Sequence, residues 1–441
     1  MKLYLIIISF LYMQLSFAQE VLKVPATKIW SLQDCITYAI ENNITVKEAS
    51  LNTDIAEVDY SKVQSSRLPN LFGSAAQNFA NGNSIDPITS NFVTDQIYST
   101  NVGINSSMTL FQGNQINNRI KQSKLLFEQN VFLEEQAKND IVISLLQTYL
   151  QTLYSKEGIA IAESNLASSE KEVIRAKSRL DAGSIALNDY TEAQSQAATN
   201  KYNLITAKNT YQQYIITLKQ LLELPPTENL EISDESTVLM HSEFDKMAIY
   251  NKALSFLPEI GASNTNIAVN QKELDIAKGG YLPTIALAGS IGSGYTSITD
   301  SNFTDQLNLN FNQKIGLSVS IPIFNRNITN AAVQTASINI EKAEIQKQTT
   351  VKEVYKKVET AYQNAVSSQE QVLAATASRE AAMQSYKLAQ KKYELGALST
   401  TDLIVSQNTY TNAEQNFLQA KYLKILYYQL LQFYQGNDIK L

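Results

Sequence analysis

One cysteine, Cys35, and one histidine, His241, occur in 441 residues. A lone cysteine excludes an intrachain disulfide, and no Cys/His set exists for zinc or haem iron. Glycine (15) and proline (8) are scarce, so the chain has few points where a helix must stop. Only 18 % of residues are charged and the formal charge is −6. A general grip on nucleic acid needs clustered Lys and Arg, and is excluded. Paired carboxylates such as Asp34 and Glu41, or Glu134 and Glu135, fall on helical surfaces as solvated faces. Neither an enzyme nor a bound cofactor or metal is expected. Past the N-terminus no apolar run reaches the length of a spanning helix. Any membrane passage by the mature chain must then be made by a closed β-barrel.

What the chain does contain is Gln, Asn, Ser, Thr and Ala in abundance, a mix that suits long helices with polar, mostly uncharged faces. Residues 1–18 read as a signal peptide: Lys2, an apolar run, then Ser16 and Ala18 as small residues before the cleavage point. No Cys follows the site, so no lipid anchor is expected. Ser31 and Asp34 form a start signal for a helix that runs to Arg67-Leu68-Pro69. A weak strand follows at 71–80, then a polar loop at 81–96, then a clear strand at 98–111. Residues 114–182 read as one very long helix, Gly183 as its C-terminal cap, and 188–224 as a second helix.

The series then repeats. A helix at 243–278, interrupted near Pro258, ends at Tyr281-Leu282-Pro283, and a strand begins near Ile285. A polar loop, SITDSNFTDQ, separates it from the strand 311–324, where Ile315, Leu317, Val319, Ile321 and Ile323 alternate with Lys314, Gly316, Ser318 and Ser320. A long helix to Leu395, Gly396, and a last helix to Gln435 complete the second half. One offset, 213, carries Tyr98 to Phe311, Phe111 to Phe324, Tyr149 to Tyr362, Gly183 to Gly396 and Asp189 to Asp402. This is an internal duplication of roughly 210 residues, longer than a solenoid unit. The expected organisation is a signal peptide (1–18), a first repeat (19–226), a linker (227–242) and a second repeat (243–441).

Four strands cannot close a barrel, because about eight is the minimum. Each strand nonetheless has an apolar face of the length that crosses hydrocarbon when tilted. Closure by several copies with cyclic symmetry resolves the conflict. The last helix carries a heptad, Leu403, Tyr410, Phe417, Lys424 and Leu431 at one position and Ser406, Ala413, Ala420, Tyr427 and Tyr434 at the other, which implies supercoiling against neighbours. Lys314 on the polar strand face is expected in the lumen. Tyr98, Phe111, Tyr281, Tyr295, Phe311 and Phe324 sit at strand ends, where an aromatic girdle belongs. A periplasmic spacer or adaptor without a pore is the alternative, and it leaves the strand faces unexplained.

The signal peptide, SLQDCITYAIENN, the two Leu-Pro strand starts, the LFQG and IFNR strand ends and the turns DAGSIALNDY and ELGALSTTDL stand in one duplicated order. On these the chain resembles the TolC family of outer-membrane efflux proteins, over essentially the whole mature sequence. The resemblance implies a mixed α and β fold: a homotrimer with a twelve-stranded β-barrel in outer-membrane lipid, continued by an α-helical barrel across the periplasm. It implies an exit duct for efflux or type I secretion, completed by a periplasmic adaptor and an inner-membrane pump of the RND or ABC type. It places Gly183, Ser184, Gly396 and Ser399 at the periplasmic tip where the adaptor docks. It makes Asp189 and Tyr393 a bonded pair that keeps the tip shut, and Asp402 the start of an acidic ring. The second acidic position of that ring falls on Val405, and a basic gate position on Leu398. Asp402 also stands three residues after Ser399, so it reads equally as a helix cap.

Overall fold

The structure is a computed structural model that describes residues 29–85, 90–233 and 244–440. The signal peptide and most of the linker, with His241, lie outside the described residues. Two short strands, β1 (Ile29–Trp30) and β4 (Glu231–Ile232), pair in parallel beside the middle of the helical layer. In the first half follow α1 (Leu32–Asn42), α2 (Ile44–Ser65), β2 (Asn70–Ile85), β3 (Phe92–Gln112), α3 (Gln115–Asp181) and α4 (Leu187–Leu221). The second half supplies α5 (Lys246–Phe256), α6 (Pro258–Gly279), β5 (Thr284–Thr296), α7 (Phe303–Leu309), β6 (Asn312–Ser320), α8 (Ile328–Glu394) and α9 (Thr400–Tyr434). Helices α3 and α8 are each 67 residues long, and α4 and α9 each 35. At about 1.5 Å per residue the two long helices extend on the order of 100 Å.

Four expectations are corrected. The first helix is not continuous to Arg67 but breaks at Asn43, as its counterpart breaks at Leu257. Asn43 is buried, caps α2 through Thr45 N (2.9 Å) and donates to Leu221 O (2.9 Å), a long-range anchor that no local pattern reveals. Residues 81–96 are largely strand, since β2 and β3 stay paired up to Ile85 opposite Phe92. Backbone pairing needs no apolar alternation where the ribbon meets water on both faces. SITDSNFTDQ leads into helix α7 rather than forming a plain loop. The last strand stops at Ser320, because Pro322 has no N–H to give to a ladder.

β2, β3, β5 and β6 form one antiparallel sheet in that order. Its register sorts most side chains by polarity, with Phe72 (opposite Asn105) on the polar face and Ser293 (opposite Val102) on the apolar face as exceptions. Ser74, Asn101, Asn105, Ser290, Asn312 and Lys314 stand on one face. Ala75, Val102, Ile104, Met108, Leu287, Ile291, Ile315 and Leu317 stand on the other. A bulge between Thr109 and Phe111 rephases β3, so Phe111 lies opposite Ile285 on the apolar side. No periodicity argument anticipated that shift. Among the described residues no further strand pairs with either edge of the sheet, and every residue of β6 is exposed.

The strands pass into α3 and α8 through left-handed pairs, Gly113-Asn114 (φ 54° and 61°) and Arg326-Asn327 (φ 52° and 66°). At Gly113 a side chain is impossible for a second reason: a Cβ there would stand 2.1 Å from Gly279 O. Below the sheet the helices form a layer. Near the sheet the order across it is α2, α3, α6, α8; toward the far end it is α4, α3, α9, α8. The main core lies between, around Leu145, Leu146, Tyr149, Leu218, Val354 and Leu431. The Tyr149 hydroxyl lies 3.1 Å from Trp30 O and 3.0 Å from Ser233 O, which pins β1 and β4 to this core.

The outer helices leave apolar stripes uncovered. On α2 these are Ile44, Leu51, Ile55 and Val58; on α4, Tyr202, Ile205 and Ile216. On α8 they are Ile338, Ile345, Val366, Leu373 and Leu388. Strand β2 and helices α2 and α4 thus mark one flank of the protomer, and β6 with α8 marks the other.

Candidate functional site

The far end of the helical layer is built from two turns. α3 ends at Gly183 (φ 70°) and α8 at Gly396 (φ 75°). Ser184 N donates to Arg179 O (2.8 Å) and Ala397 N to Lys392 O (2.8 Å), the six-to-one bonds that finish a helix through a left-handed residue. A non-glycine there costs about 1–2 kcal/mol. Gly183, Ser184, Gly396 and Ser399 are all exposed, at the extreme end of the molecule.

Each turn restarts a helix with an aspartate. Ser399 Oγ donates to Asp402 Oδ2 (2.7 Å) and Asp402 N donates to Ser399 Oγ (3.1 Å), an N-cap braced by the aspartate side chain. In the first half Ala186 stands in place of Ser399 and has no hydroxyl to cap with; there Asp189 Oδ2 instead accepts from Ala186 N at 3.3 Å. Asp402 is exposed while it caps, and its charge remains available to the space in front of the tip.

The expected bond between Asp189 and Tyr393 is not formed within the protomer. Asp189 is held by its own helix start, and the Tyr393 hydroxyl lies 3.4 Å from Thr400 Oγ1. Tyr393 is nevertheless fully buried, in a small apolar cluster with Ala389 and Leu403 against which Leu398 packs. What secures it is Arg179 of α3. That guanidinium lies 5.2 Å from the Tyr393 ring centre, and its Nη1 donates to Tyr393 O at 3.3 Å. Gly396 is close beneath the same group, since a Cβ there would be 3.3 Å from Arg179 Nη2.

Further bonds cross between the two halves nearby. Arg175 Nη1 donates to Glu172 (2.9 Å) and its Nη2 to Glu394 of α8 (3.3 Å). Burial pushes the Glu172 carboxyl above its ordinary range, against the pull of Arg175. Thr401 Oγ1 donates to Glu192 of α4 (2.8 Å), and Ser168 and Tyr386 share a 2.9 Å bond. Sequence reasoning missed Arg175, Arg179, Glu192 and Thr401. Nothing local marks them, since they are ordinary helix-surface residues whose partners are about 210 residues away.

Tyr393→Phe is therefore expected to leave the closed state unchanged, because the ring and the backbone carbonyl carry the contact. Equal closed-state conductance of both proteins in planar bilayers checks this; a leaky phenylalanine variant would assign the closure to the hydroxyl.

At the opposite end, Lys314 stands opposite Ser290, which stands opposite Asn105, so Lys314 belongs to the polar face as expected. Tyr98, Phe111, Tyr281, Phe311 and Phe324 are exposed and Tyr295 half-buried, at the two rims of the sheet. Among the described residues no helix is long and apolar enough to cross a membrane. None of their His, Cys, Asp and Glu side chains gather in a group of three that would hold a metal ion.

The family model described as outer membrane efflux protein matches residues 35–223 and 249–436, one match in each half. Outer membrane protein TolC of Salmonella enteritidis is 23 % identical over 399 residues, 87 % of this chain and 77 % of that protein. Outer membrane efflux protein BepC of Brucella suis is 25 % identical over 409 residues, 89 % of this chain and 82 % of that one. Among solved structures, the Campylobacter jejuni CmeC outer membrane channel superposes with a TM-score of 0.81 at 19 % identity, covering 92 % of this chain and 87 % of its own.

Proposed function

From the premise that this chain belongs to the outer membrane efflux protein family, we propose how its channel is assembled, shut and connected. The chain is an outer-membrane efflux channel that reaches into the periplasm, and channels of this family carry no chemistry of their own. The observation that carries the assembly is the open sheet. Its apolar face is uncovered, and both edge strands have unpaired backbone groups that lipid cannot satisfy. Pairing β6 of one copy with β2 of the next closes twelve strands from three copies. The same step brings the bare stripes of α2 and α4 against that of α8. A pore-free periplasmic spacer would leave the apolar sheet face in water, so that reading is set aside.

In this reading the polar sheet face with Lys314 lines the lumen, and the helices continue it as a tunnel. The turns at Gly183-Ser184 and Gly396-Ser399 receive a periplasmic adaptor, which links the duct to an inner-membrane pump of the RND or ABC type. The tip is shut by the Arg179 and Arg175 contacts, with three Asp402 carboxylates round the axis and Val405 (59 % exposed) one turn above. A single acidic ring attracts cations. Reconstitution tests the whole: purified trimers in planar bilayers conduct, at low level when shut. Trimers that never conduct, even with the tip contacts removed, overturn it.

Asp402→Asn keeps the capping geometry, because an amide oxygen accepts the same Ser399 bond. The expected result is a lower cation preference, read from reversal potentials in a salt gradient, with trimer stability unchanged. An unaltered reversal potential would reduce Asp402 to a cap.

A further inference from the structure

The segment between β5 and β6 has the length of a solvated loop, yet it is built as a fixed body. Gln306, only 2 % exposed, ties it together. Its Oε1 accepts from Thr296 N (2.9 Å), and its Nε2 faces Ser301 O (2.8 Å), Thr296 O (3.0 Å) and Thr299 O (3.2 Å). Asn302 caps α7 through Asp305 N (2.9 Å). Asn310 Nδ2 then donates to Gly294 O (2.7 Å), and Ser293 Oγ to Leu307 O (2.5 Å). Phe303 rests its ring 5.3 Å from that of Tyr295. A loop with no task beyond joining two strands needs none of this, since exposed connections ordinarily tolerate mobility.

The body meets β5 on both faces at the strand end: Ser293, opposite Val102, and Tyr295 belong to the apolar face, while Thr296 and Gly294 give it a footing on the polar one. Thr296 stands opposite Ser99 and Gly294 opposite Asn101, on the face that carries Asn105, Ser290 and Lys314. Most of that face is exposed or half-exposed, but Thr296 is 1 % exposed, and Ile97, of the same face by its spacing from Ser99, is 4 %. Burial on this face is thus concentrated where α7 packs along β5. Asn310 and Asn312 extend over the trough formed with Asn101, Asn105 and Gly294.

We propose that the segment 297–311 is a rigid sieve at the outer mouth of the barrel, overhanging the lumen and setting the largest solute that passes there. This rests on the trimeric-pore reading given above. Twelve strands enclose a wide lumen, and a shut periplasmic tip does nothing to narrow its outer end. Three stapled segments around the axis do narrow it. The groups of the segment that line the trough beside Asn101 and Asn105 include the Asn310 amide, and Asp300 and Asp305 are exposed on the same body, so neutral polymers are the probe that reads size apart from charge.

The test is polymer exclusion in planar bilayers, with neutral polyethylene glycols of graded size added on the barrel side. The channels carry Arg175→Ala and Arg179→Ala so that the tip does not limit the current. Two variants are compared with this parent: Gln306→Ala, and replacement of 302–310 by a Gly-Ser linker. The expected result is a larger exclusion limit from the barrel side in both, with a higher conductance, and an unchanged limit from the tip side. Native mass spectrometry checks that each variant is trimeric. An unchanged barrel-side limit in conducting channels overturns the sieve and leaves the pore reading standing. Parent channels that conduct nothing overturn the pore reading, and the sieve with it.

Discussion

Leu317→Arg should abolish insertion of the trimer into the outer membrane. Leu317 is 63 % exposed in the protomer, in the edge strand β6, and stands beside Leu287 on the apolar face of the sheet. A lipid-facing arginine costs about 2–4 kcal/mol at the bilayer midplane. Threefold symmetry repeats the cost, so the assembled barrel loses roughly 6–12 kcal/mol, comparable with the whole stability of a folded domain. The matched control is Lys314→Glu, three positions earlier and on the opposite face. It reverses a lumenal charge at no lipid cost, so it should alter ion selectivity and spare insertion. The measurement is the amount of heat-resistant trimer in the outer-membrane fraction. Normal amounts of the Leu317 variant would show that this face does not meet lipid.

The second large effect concerns the tip. Removing Arg179 and Arg175 together, as alanines, should convert a channel that is mostly shut into one that is mostly open. Arg179 contributes a charge-assisted hydrogen bond and a ring contact, and Arg175 a half-exposed bridge to Glu394. Partial exposure discounts the bridge to at most about 1 kcal/mol, while the ring contact adds about 0.5–1. A loss of about 2 kcal/mol per protomer becomes about 6 kcal/mol if the three protomers move together, enough to invert a shut-to-open ratio. Conductance should rise by at least about tenfold. Asp189→Ala is the contrast: it removes one exposed helix-start bond, worth about 0.5–2 kcal/mol to α4, and should leave the tip shut. A leaky Asp189 variant beside a tight arginine double variant would reverse the assignment and return the closure to the aspartate.

Much of this is legible in the sequence. The two halves, the long helices, the tip glycines and the two faces of each strand all follow from periodicity and from where Gly and Pro occur. Asn114 and Asn327, or Asp181 and Glu394, fall at matching ends of matching helices because the duplicated sequence repeats the same local instructions. The misses share a different character. Asn43 breaks a helix because its side chain finds Leu221 O, and α7 exists because Gln306 finds the end of β5. The carboxylate that the family resemblance paired with Tyr393 was taken by its own backbone, and an arginine from the other half took its place.

The sequence by itself determined the repeat, the membrane-length strand faces, the glycine ends of both long helices, the serine cap of the last helix and membership of a family of efflux channels. Each is coded within a few residues, as a period of two or seven, a glycine free to take positive φ, or a serine three before an aspartate. The tertiary structure alone decided which helices form the flanks, where β3 shifts its phase, which side chains join the two halves at the far end, and that the segment between β5 and β6 is a fixed body. Those depend on how far a side chain reaches across a packed layer and on the register between strands far apart in the chain. A one-residue bulge or an arginine on a polar helix face leaves no periodic trace, so only the assembled protomer reveals them.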